Sequence, residues 1–150
     1  MGVINCTPDS FHEASRAHSF ELAVERGLRL AQEGADCLDI GGQSTRPGSE
    51  AVPPDVERSR VIGVIQSLAR QVKVPISIDT DKASIAAEAL DAGARIINDV
   101  TALRGDPGMA AVAARADRVV LMHMLGLSPK TMQLDPSYDD CVREVKSFLR

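Results

Sequence analysis

Five short apolar runs alternate with longer amphipathic segments, and this alternation constrains the fold more than any other feature of the sequence. The runs are apolar nearly throughout, as parallel strands covered on both faces should be. They occupy residues 1–4, 37–40, 76–79, 96–98 and 119–122. An apolar run followed each time by an amphipathic segment is typical of the βα repeat, which predicts an α/β fold with a parallel sheet.

Capping and breaking residues predict where the intervening helices begin and end. Ser19 is placed to cap the first helix, and Gly34 is placed to end it. Pro53 and Pro54 open the second helix, which is expected to continue until Pro75. The remaining helices are expected from Thr80 or Asp81 to Gly93, over 109–116, and from about Tyr138 onward.

The spacing between strand starts bears on two architectures. One βα unit takes about 30 residues, close to the ~31 of a 250-residue eightfold barrel. Residues 34–39 and 93–98 also share one order of glycine, small residue, apolar strand and polar tip. We therefore expect a partial (β/α)8 TIM barrel with parallel strands 1 to 5 and intervening helices, in one domain over 1–150 that is truncated at its C-terminal end. A complete open sheet of five parallel strands is the alternative.

Composition excludes several classes of protein. Lys and Arg number 17 against 21 Asp and Glu, and three Phe and one Tyr are the aromatic residues, so the basic excess and stacking side chains of a nucleic-acid-binding protein are missing. The apolar runs are shorter than the ~18 residues of a membrane helix and no leader opens the chain, which favours a cytoplasmic protein without a membrane partner. Three widely spaced cysteines predict neither a disulfide framework nor a Cys-x-x-Cys metal site.

Polar side chains stand at the end of every predicted strand. They are Asn5, Asp39, Asp79, Asn98 with Asp99, and His123. Active sites of βα barrels form at the carboxyl ends of the strands, where these side chains would converge. Some polarity is expected there in an inert scaffold, because loops begin at strand ends. Polar groups after all five strands, among them amides and carboxylates for which desolvation is unfavourable, nevertheless favour a functional site.

The segment after the second strand is long and glycine-rich, which favours ligand binding over a simple connection. Gly41 and Gly42 allow the backbone to approach a ligand closely. Ser44 and Thr45 add hydroxyl groups, and the planar guanidinium of Arg46 suits a phosphate or a carboxylate. The segment therefore indicates a site for an anionic group.

Five motifs, in order along the chain, resemble the dihydropteroate synthase family. They are NCTPDSF at 5–11, DIGGQSTRPG at 39–48, SIDT at 77–80, ND at 98–99 and MHM at 122–124. The resemblance implies a pterin-binding (β/α)8 barrel of folate biosynthesis that is a target of sulfonamides. Such a transferase joins 4-aminobenzoate to the methylene carbon of 6-hydroxymethyl-7,8-dihydropterin diphosphate and releases diphosphate. It also implies a homodimer for the full-length protein.

The resemblance also implies roles for individual residues. Asn5 would be a ligand of Mg²⁺ through its amide oxygen, which is the kind of oxygen that a hard cation prefers. Asp79 and Asn98 would bond the pterin ring, and Met122 would line the pterin pocket. Asp79 and Arg46 are the expected catalytic residues. The other implied contacts are those of Thr45 and Arg46 with anionic oxygens, and those of Phe11 and Pro47 with the aminobenzoate ring.

Several polar residues also have a purely structural interpretation. Asp39 is interpreted more readily as an anchor of the glycine pair that follows it than as a substrate ligand. His123 fits a structural role as well as a chemical one, because no Glu or Asp accompanies it at the spacing of a zinc motif. His12 and His18 are interpreted as solvated loop residues.

Three departures from the family pattern are expected to affect the catalytic rate. Gln43 stands where the family has Glu, Glu13 where it has Asp, and Ala14 with Ser15 where it has a Gly-Gly pair. Gln43 keeps a hydrogen-bond acceptor but loses a charge, while Ala and Ser restrict backbone angles that glycine allows. The family's pterin Asp, the Lys near its strand 7 and the Arg-x-His segment near its strand 8 fall beyond Arg150, so the 150 residues are expected to be inactive alone.

Two other functions remain open. A related pterin barrel passes the methyl group of methyl-tetrahydrofolate to a corrinoid protein and would keep Asp and Asn at the strand tips. The Ser-Thr-Arg-Pro-Gly loop, which suits a diphosphate or carboxylate, favours the synthase over this methyltransferase. A non-catalytic paralogue that binds pterin or supports a partner is the other alternative, because of the altered loops.

Overall fold

The computed structural model describes residues 1–7, 16–44, 51–126 and 135–150, with the backbone alone for residues 16–18. Within them, strands and helices alternate. The strands are β1 (Gly2–Asn5), β2 (Leu38–Gly41), β3 (Ile76–Asp79), β4 (Ile96–Asp99) and β5 (Arg118–Leu121). The helices are α1 (Arg16–Gln32), α2 (Pro54–Ala69), α3 (Ala83–Asp91), α4 (Met109–Ala113) and α5 (Cys141–Phe148). None of these described helices combines the length and apolar character that crossing a bilayer requires.

All five strands are parallel and follow one another across the sheet in chain order, from β1 to β5. An open doubly wound sheet instead reverses its strand order at a switch point. Each of the helices α1 to α3 packs against the next helix along the chain. These are the features of consecutive βα units of a barrel, so the prediction of barrel units is confirmed and the open sheet is not supported.

One face of the sheet is packed beneath the helices and is built from isoleucine. Ile4, Ile40, Ile78 and Ile97 are aligned across β1 to β4, and each is completely buried. They belong to one apolar core with residues of α2 and α3. Burying one such side chain contributes about 1.5–3 kcal/mol, so this row fixes the register of the strands. Because side chains alternate along a strand, the neighbours of these isoleucines project from the opposite face.

The predicted helices are present, but several begin or end at other residues. α1 begins at Arg16, so Ser19 lies inside the helix and the prediction that Ser19 caps it is wrong. α2 begins at Pro54 as expected and ends at Ala69, well before Pro75. The helices α4 and α5 are shorter than the sequence predicted.

The start of α3 shows why local sequence signals can mislead. The helix begins at Ala83, after the expected Thr80 or Asp81. The N–H of Ala83 donates to the carboxylate of Asp106 at 2.9 Å, so this helix end is capped from the segment between β4 and α4. Hydrogen bonds from Ala83 and from the backbone of Gly108 lower the pKa of Asp106. A cap supplied by a distant segment leaves no signature next to the helix.

Two glycines end helices as the sequence predicted. Gly34 and Gly93, which follow α1 and α3, have φ values of 94° and 113°. In each case the amide after the glycine donates to a carbonyl in the last turns of its helix, which closes the helix end. The shared glycine helix end and the strand after it are therefore confirmed, but the expected polar tip is not shared, because Asp39 lies inside β2 while Asn98 is near the end of β4.

Candidate functional site

The parallel register places residues at the ends of four strands in one row. Asn5 of β1 is aligned with Gly41 of β2, Gly41 with Asp79 of β3, and Asp79 with Asn98 of β4. Their side chains alternate with the buried isoleucines, so they belong to the face of the sheet opposite the helices, here called the open face. The structure therefore brings Asn5, Asp79 and Asn98 to one rim from separate parts of the sequence.

Asp39 lies one pleat below this row, aligned with Ser77 of β3. The residue is 5% exposed. Its Oδ2 accepts a hydrogen bond from Nδ2 of Asn98 at 3.2 Å, which joins β2 to β4 across β3 and orients the Asn98 amide. The sequence suggested that Asp39 anchors the glycine pair that follows it. Within the described residues, its side chain bonds Asn98 instead.

Three buried oxygen atoms on the open face have no hydrogen-bond partner among the described residues. They are Oδ1 of Asp39, Oδ1 of Asp79 and Oγ of Ser77. Buried polar atoms in folded proteins are nearly always paired, so this arrangement indicates a ligand that completes the bonding. Sequence reasoning assigned no role to Ser77. The signal was its position two residues before Asp79, which puts both side chains on one face of the strand.

The surroundings of Asp79 change its acidity. Burial raises the pKa of its carboxyl group to about 7, and the negative charges of Asp39, Glu57, Asp81 and Asp99 add to the rise. Near neutral pH the carboxyl group is therefore divided between its protonated and ionised forms. A ligand that donates hydrogen bonds or carries positive charge would favour the ionised form. A buried group with such a perturbed pKa is typical of functional sites.

Gly41 keeps one side of this carboxylate accessible. A Cβ atom at Gly41 would lie 3.3 Å from Oδ2 and 3.5 Å from Cβ of Asp79. Any side chain at this position would therefore stand beside the carboxylate in the row. The glycine leaves that space to a ligand.

Asp99 ends β4 but shapes a turn instead of lining the open face. Its Oδ1 accepts bonds from the N–H and the hydroxyl of Thr101, both at 2.7 Å, and its Oδ2 accepts one from the N–H of Leu103 at 2.8 Å. These bonds hold Ala102 and Leu103 at φ values of 53° and 64°, where residues other than glycine are uncommon. The expectation that Asp99 joins the site is therefore wrong.

His123, after β5, packs among aromatic side chains near the end of the chain. Its ring lies edge-on to Phe148 with centroids 4.7 Å apart, and 5.8 Å from the ring of Tyr138. Its Nδ1 is 3.5 Å from the Tyr138 hydroxyl. These contacts support the structural interpretation of His123. The neighbouring Met122 is half-buried, and its N–H donates to the carbonyl of Asp99 at 3.3 Å. Its pterin contact stays a prediction.

One known protein family, described as pterin binding enzyme, matches this chain over residues 1–150. The chain belongs to this family. Its relatives include the dihydropteroate synthases of Synechocystis sp., 42% identical over 149 residues, and of Bacillus subtilis, 49% identical over 124 residues. These matches cover 99% and 82% of this chain but 51% and 44% of the relatives. The chain thus spans about half the length of the curated relatives it matches.

Solved structures of pterin-binding enzymes share the fold. Dihydropteroate synthase of Xanthomonas albilineans with 4-aminobenzoic acid is 50% identical with a TM-score of 0.85, and that of Yersinia pestis in a sulfonamide drug complex is 41% identical with a TM-score of 0.88. The enzyme of Burkholderia cenocepacia complexed with 7,8-dihydropteroate is 43% identical with a TM-score of 0.81. Each match covers 99% of this chain and, in the same order, 52%, 54% and 49% of the solved chain. The family resemblance and the barrel fold predicted from the sequence are confirmed.

In this member of the family a second polar cluster lies beside α2. It consists of Gln43, Glu57, Thr80 and Lys82, and is here called the Lys82 cluster. Glu57 is completely buried and accepts bonds from Oγ1 of Thr80 and Nζ of Lys82, each at 2.6 Å. Nζ of Lys82 also donates to Oε1 of Gln43 at 2.7 Å. The sequence predicted that Gln43 keeps a hydrogen-bond acceptor, and its Oε1 accepts this bond from Lys82. Sequence reasoning missed Glu57 and Lys82, whose positions along the chain carry no shared pattern.

The family resemblance implied that Asn5 binds Mg²⁺. Among the described residues, no three or more His, Cys, Asp or Glu side chains are grouped so that they could hold a metal ion. Asn5 is exposed and offers one amide oxygen. One hard oxygen fits an Mg²⁺ ion that takes its other ligands from substrate phosphates and water. It does not fit a zinc site, which needs several protein ligands.

The remaining residues predicted for a pterin-binding enzyme lie outside the described part of the chain. They are Phe11, Thr45, Arg46 and Pro47, with His12 and the variant positions Glu13, Ala14 and Ser15. The side chain of His18 also lies outside it, but its backbone is part of α1, so the prediction that His18 lies in a loop is wrong. Their roles stay predictions from the sequence.

Proposed function

We propose that the full-length protein is a dihydropteroate synthase of folate biosynthesis. It would join the amine of 4-aminobenzoate to the methylene carbon of 6-hydroxymethyl-7,8-dihydropterin diphosphate. The observation that carries the proposal is the buried Asp79 carboxylate, whose Oδ1 has no partner in the described residues and which is aligned with Asn98. Relatives named dihydropteroate synthase, solved with 4-aminobenzoic acid and with 7,8-dihydropteroate, support it.

The hydrogen-bonding groups of the site suit a pterin ring. The ring carries N–H groups that would donate to the Asp79 carboxylate, and such a bond would satisfy its buried Oδ1. Asn98 donates through Nδ2 to Asp39, so its carbonyl oxygen is turned to accept a further bond. Asp39 is in this arrangement a positioning residue, because it holds the Asn98 amide in one orientation.

The residues on the open face would act on the charge that the reaction develops. When the C–O bond between the methylene group and diphosphate breaks, the electron pair leaves with diphosphate and the heterocycle becomes electron-poor. The Asp79 carboxylate would stabilise this positive charge. The amine of 4-aminobenzoate then forms the new C–N bond and releases a proton. A displacement of this kind needs no covalent bond to the protein.

The family resemblance implies which residues bind the negatively charged groups of the two substrates. Arg46 and Thr45 would hold the oxygens of diphosphate or of the aminobenzoate carboxylate, and Phe11 with Pro47 would flank the aminobenzoate ring. Asn5 would hold Mg²⁺, which supplies positive charge to the diphosphate oxygens when bound. Met122 would line the pterin pocket.

The proposal is tested on the full-length protein with pterin diphosphate and radiolabelled 4-aminobenzoate. Labelled dihydropteroate and free diphosphate are the expected products. Methyl transfer from methyl-tetrahydrofolate to a corrinoid protein, without competition by 4-aminobenzoate, would identify the methyltransferase instead. Pterin binding without product would identify a non-catalytic paralogue. Either of the last two results overturns the proposal.

A further inference from the structure

The Lys82 cluster connects the two ends of the segment that joins β2 to α2. Oε1 of Gln43, at the start of the segment, accepts bonds from Nζ of Lys82 at 2.7 Å and from the N–H of Val52 at 3.0 Å. Val52 is the residue at which the segment returns toward α2. A single side-chain oxygen therefore ties the start of the segment to its end, and both to α3 through Lys82.

A second contact holds the same segment from the side of α2. The guanidinium of Arg60 donates to the carbonyl of Gly42 at 2.7 Å. Gly42 itself packs tightly, since a Cβ atom there would lie 2.8 Å from Cγ1 of Val61 and 2.9 Å from Cγ of Glu57. The backbone next to Gln43 is thus fixed against α2 by a hydrogen bond and by close packing.

The cluster pairs the positive charge of Lys82 with the buried carboxylate of Glu57. The Glu57 side chain is fully buried and that of Lys82 is 18% exposed. Burial opposes the charge of Lys82, but the hydrogen bond and charge of Glu57, with a smaller contribution from Asp81, raise the pKa of the amine above its usual value. Lys82 therefore stays protonated at neutral pH and keeps its contacts with Glu57 and Gln43.

We infer that the Lys82 cluster is a positioning device for the β2–α2 segment, in which Lys82 and Gln43 fix where the segment leaves β2 and where it returns to α2. The segment carries Thr45 and Arg46, so this inference rests on the proposed function for its catalytic consequence. Fixing both ends of a segment restricts its conformations before substrate binds, which lowers the entropy lost on binding. Neither Lys82 nor Gln43 contacts substrate in this role.

The test uses the full-length protein and three variants. Gln43→Met removes the acceptor for Lys82 and Val52 but leaves the Glu57–Lys82 pair intact. Gln43→Glu restores an acceptor and serves as the conservative rescue. Arg58→Met is the matched control, because it breaks an ion pair between α2 and α3, with Glu88 at 2.7 Å, that does not touch the segment. The half-exposed control pair contributes little to stability.

Two measurements separate positioning from general destabilisation. Hydrogen exchange of the peptide over residues 42–53, without substrate, is expected to become about tenfold faster in Gln43→Met, a factor equal to about 1.4 kcal/mol. It should stay near wild type in Gln43→Glu and Arg58→Met. The KM for 4-aminobenzoate is expected to rise about tenfold in Gln43→Met with kcat nearly unchanged. A merely structural role would lower the amount of active enzyme without moving KM.

The outcomes judge the inference and the proposed function separately. Exchange and KM in Gln43→Met that match those of Arg58→Met would overturn the positioning role. Failure of the wild-type protein to form dihydropteroate would overturn the proposed function, and the exchange measurement would still decide whether the cluster fixes the segment.

Discussion

Two buried carboxylates near the end of β3, those of Glu57 and Asp79, have opposite surroundings. Glu57 is completely buried, and its two oxygens accept bonds from Thr80 and Lys82 at 2.6 Å. Asp79, one residue before Thr80, has a buried oxygen without a partner among the described residues. A buried carboxylate that is paired with a protein cation, such as Lys82, contributes to the stability of the fold. A buried carboxylate without such a cation is suited to binding a ligand. The comparison predicts opposite responses to similar mutations.

The largest expected effect is on turnover. Asp79→Asn removes the negative charge that stabilises the electron-poor pterin, and kcat/KM of the full-length protein is expected to fall about 10²–10³-fold. Asp117→Asn is the control, because Asp117 pairs with Arg95 at the surface at 2.9 Å, away from the open face. Dihydropteroate formation is measured for both variants. Normal turnover in Asp79→Asn would remove Asp79 from this role.

The paired carboxylate is expected to matter for stability. Glu57→Gln keeps the size of the side chain but leaves Lys82 without its buried counter-charge, which should lower the free energy of unfolding by about 2–4 kcal/mol. Urea denaturation of the full-length protein measures this loss. An unchanged unfolding midpoint would contradict the distinction drawn between the two carboxylates.

Arg46 extends the comparison to a positively charged side chain, which the sequence predicts to bind the anionic groups of the substrates. Arg46→Ala is expected to weaken capture of 4-aminobenzoate or diphosphate by about 1–3 kcal/mol, because a charge-assisted hydrogen bond is left unmade. Isothermal titration of the full-length protein gives the affinity. Arg70→Ala, at the exposed end of α2, is the control and should bind as wild type does. Equal affinities in the two variants would refute the assignment.

The smallest expected effect concerns pH. The pKa of Asp79 rises on folding from 3.8 to about 7, so the folded protein binds the proton more tightly than the unfolded chain. The stability that this group contributes is fully present below about pH 4 and is lost as the pH rises through about 7. Asp79→Asn should therefore gain more stability over wild type at pH 8, where the wild-type carboxyl group is ionised, than at pH 5. Melting temperatures at the two pH values measure the difference; a gain that does not change with pH would contradict the shifted pKa.

The sequence predicted those parts of the fold that depend on neighbouring residues. The apolar runs predicted all five strands because each run is short and its pattern lies within a few positions. Gly34 and Gly93 predicted two helix ends because a left-handed residue is needed there. Asn5, Asp79 and Asn98 could be placed at one rim because parallel strands bring their carboxyl ends together.

Other features depend on residues that only the fold brings together. α3 is capped by Asp106, which lies far from the start of the helix along the chain. Lys82 bonds Gln43 and Glu57, which are also distant from it in sequence. Asp99 and Asn98 are adjacent in sequence, yet strand alternation sends one into a turn and the other to the open face. Adjacent side chains of a strand face opposite sides, so the prediction that both Asn98 and Asp99 join the site was wrong.

The row from Asn98 to Asn5 spreads the candidate site across four strands of the sheet. Three gaps between neighbouring strands, each about 4.8 Å, separate the backbones of these residues by about 14 Å along the sheet. In the proposed function, a bicyclic ring held by Asn98 and Asp79 would occupy the β3–β4 end of the row, and its diphosphate arm would extend toward Asn5 on β1. A bare pterin should therefore bind equally well whether or not Asn5 is present, and the diphosphate ester should not.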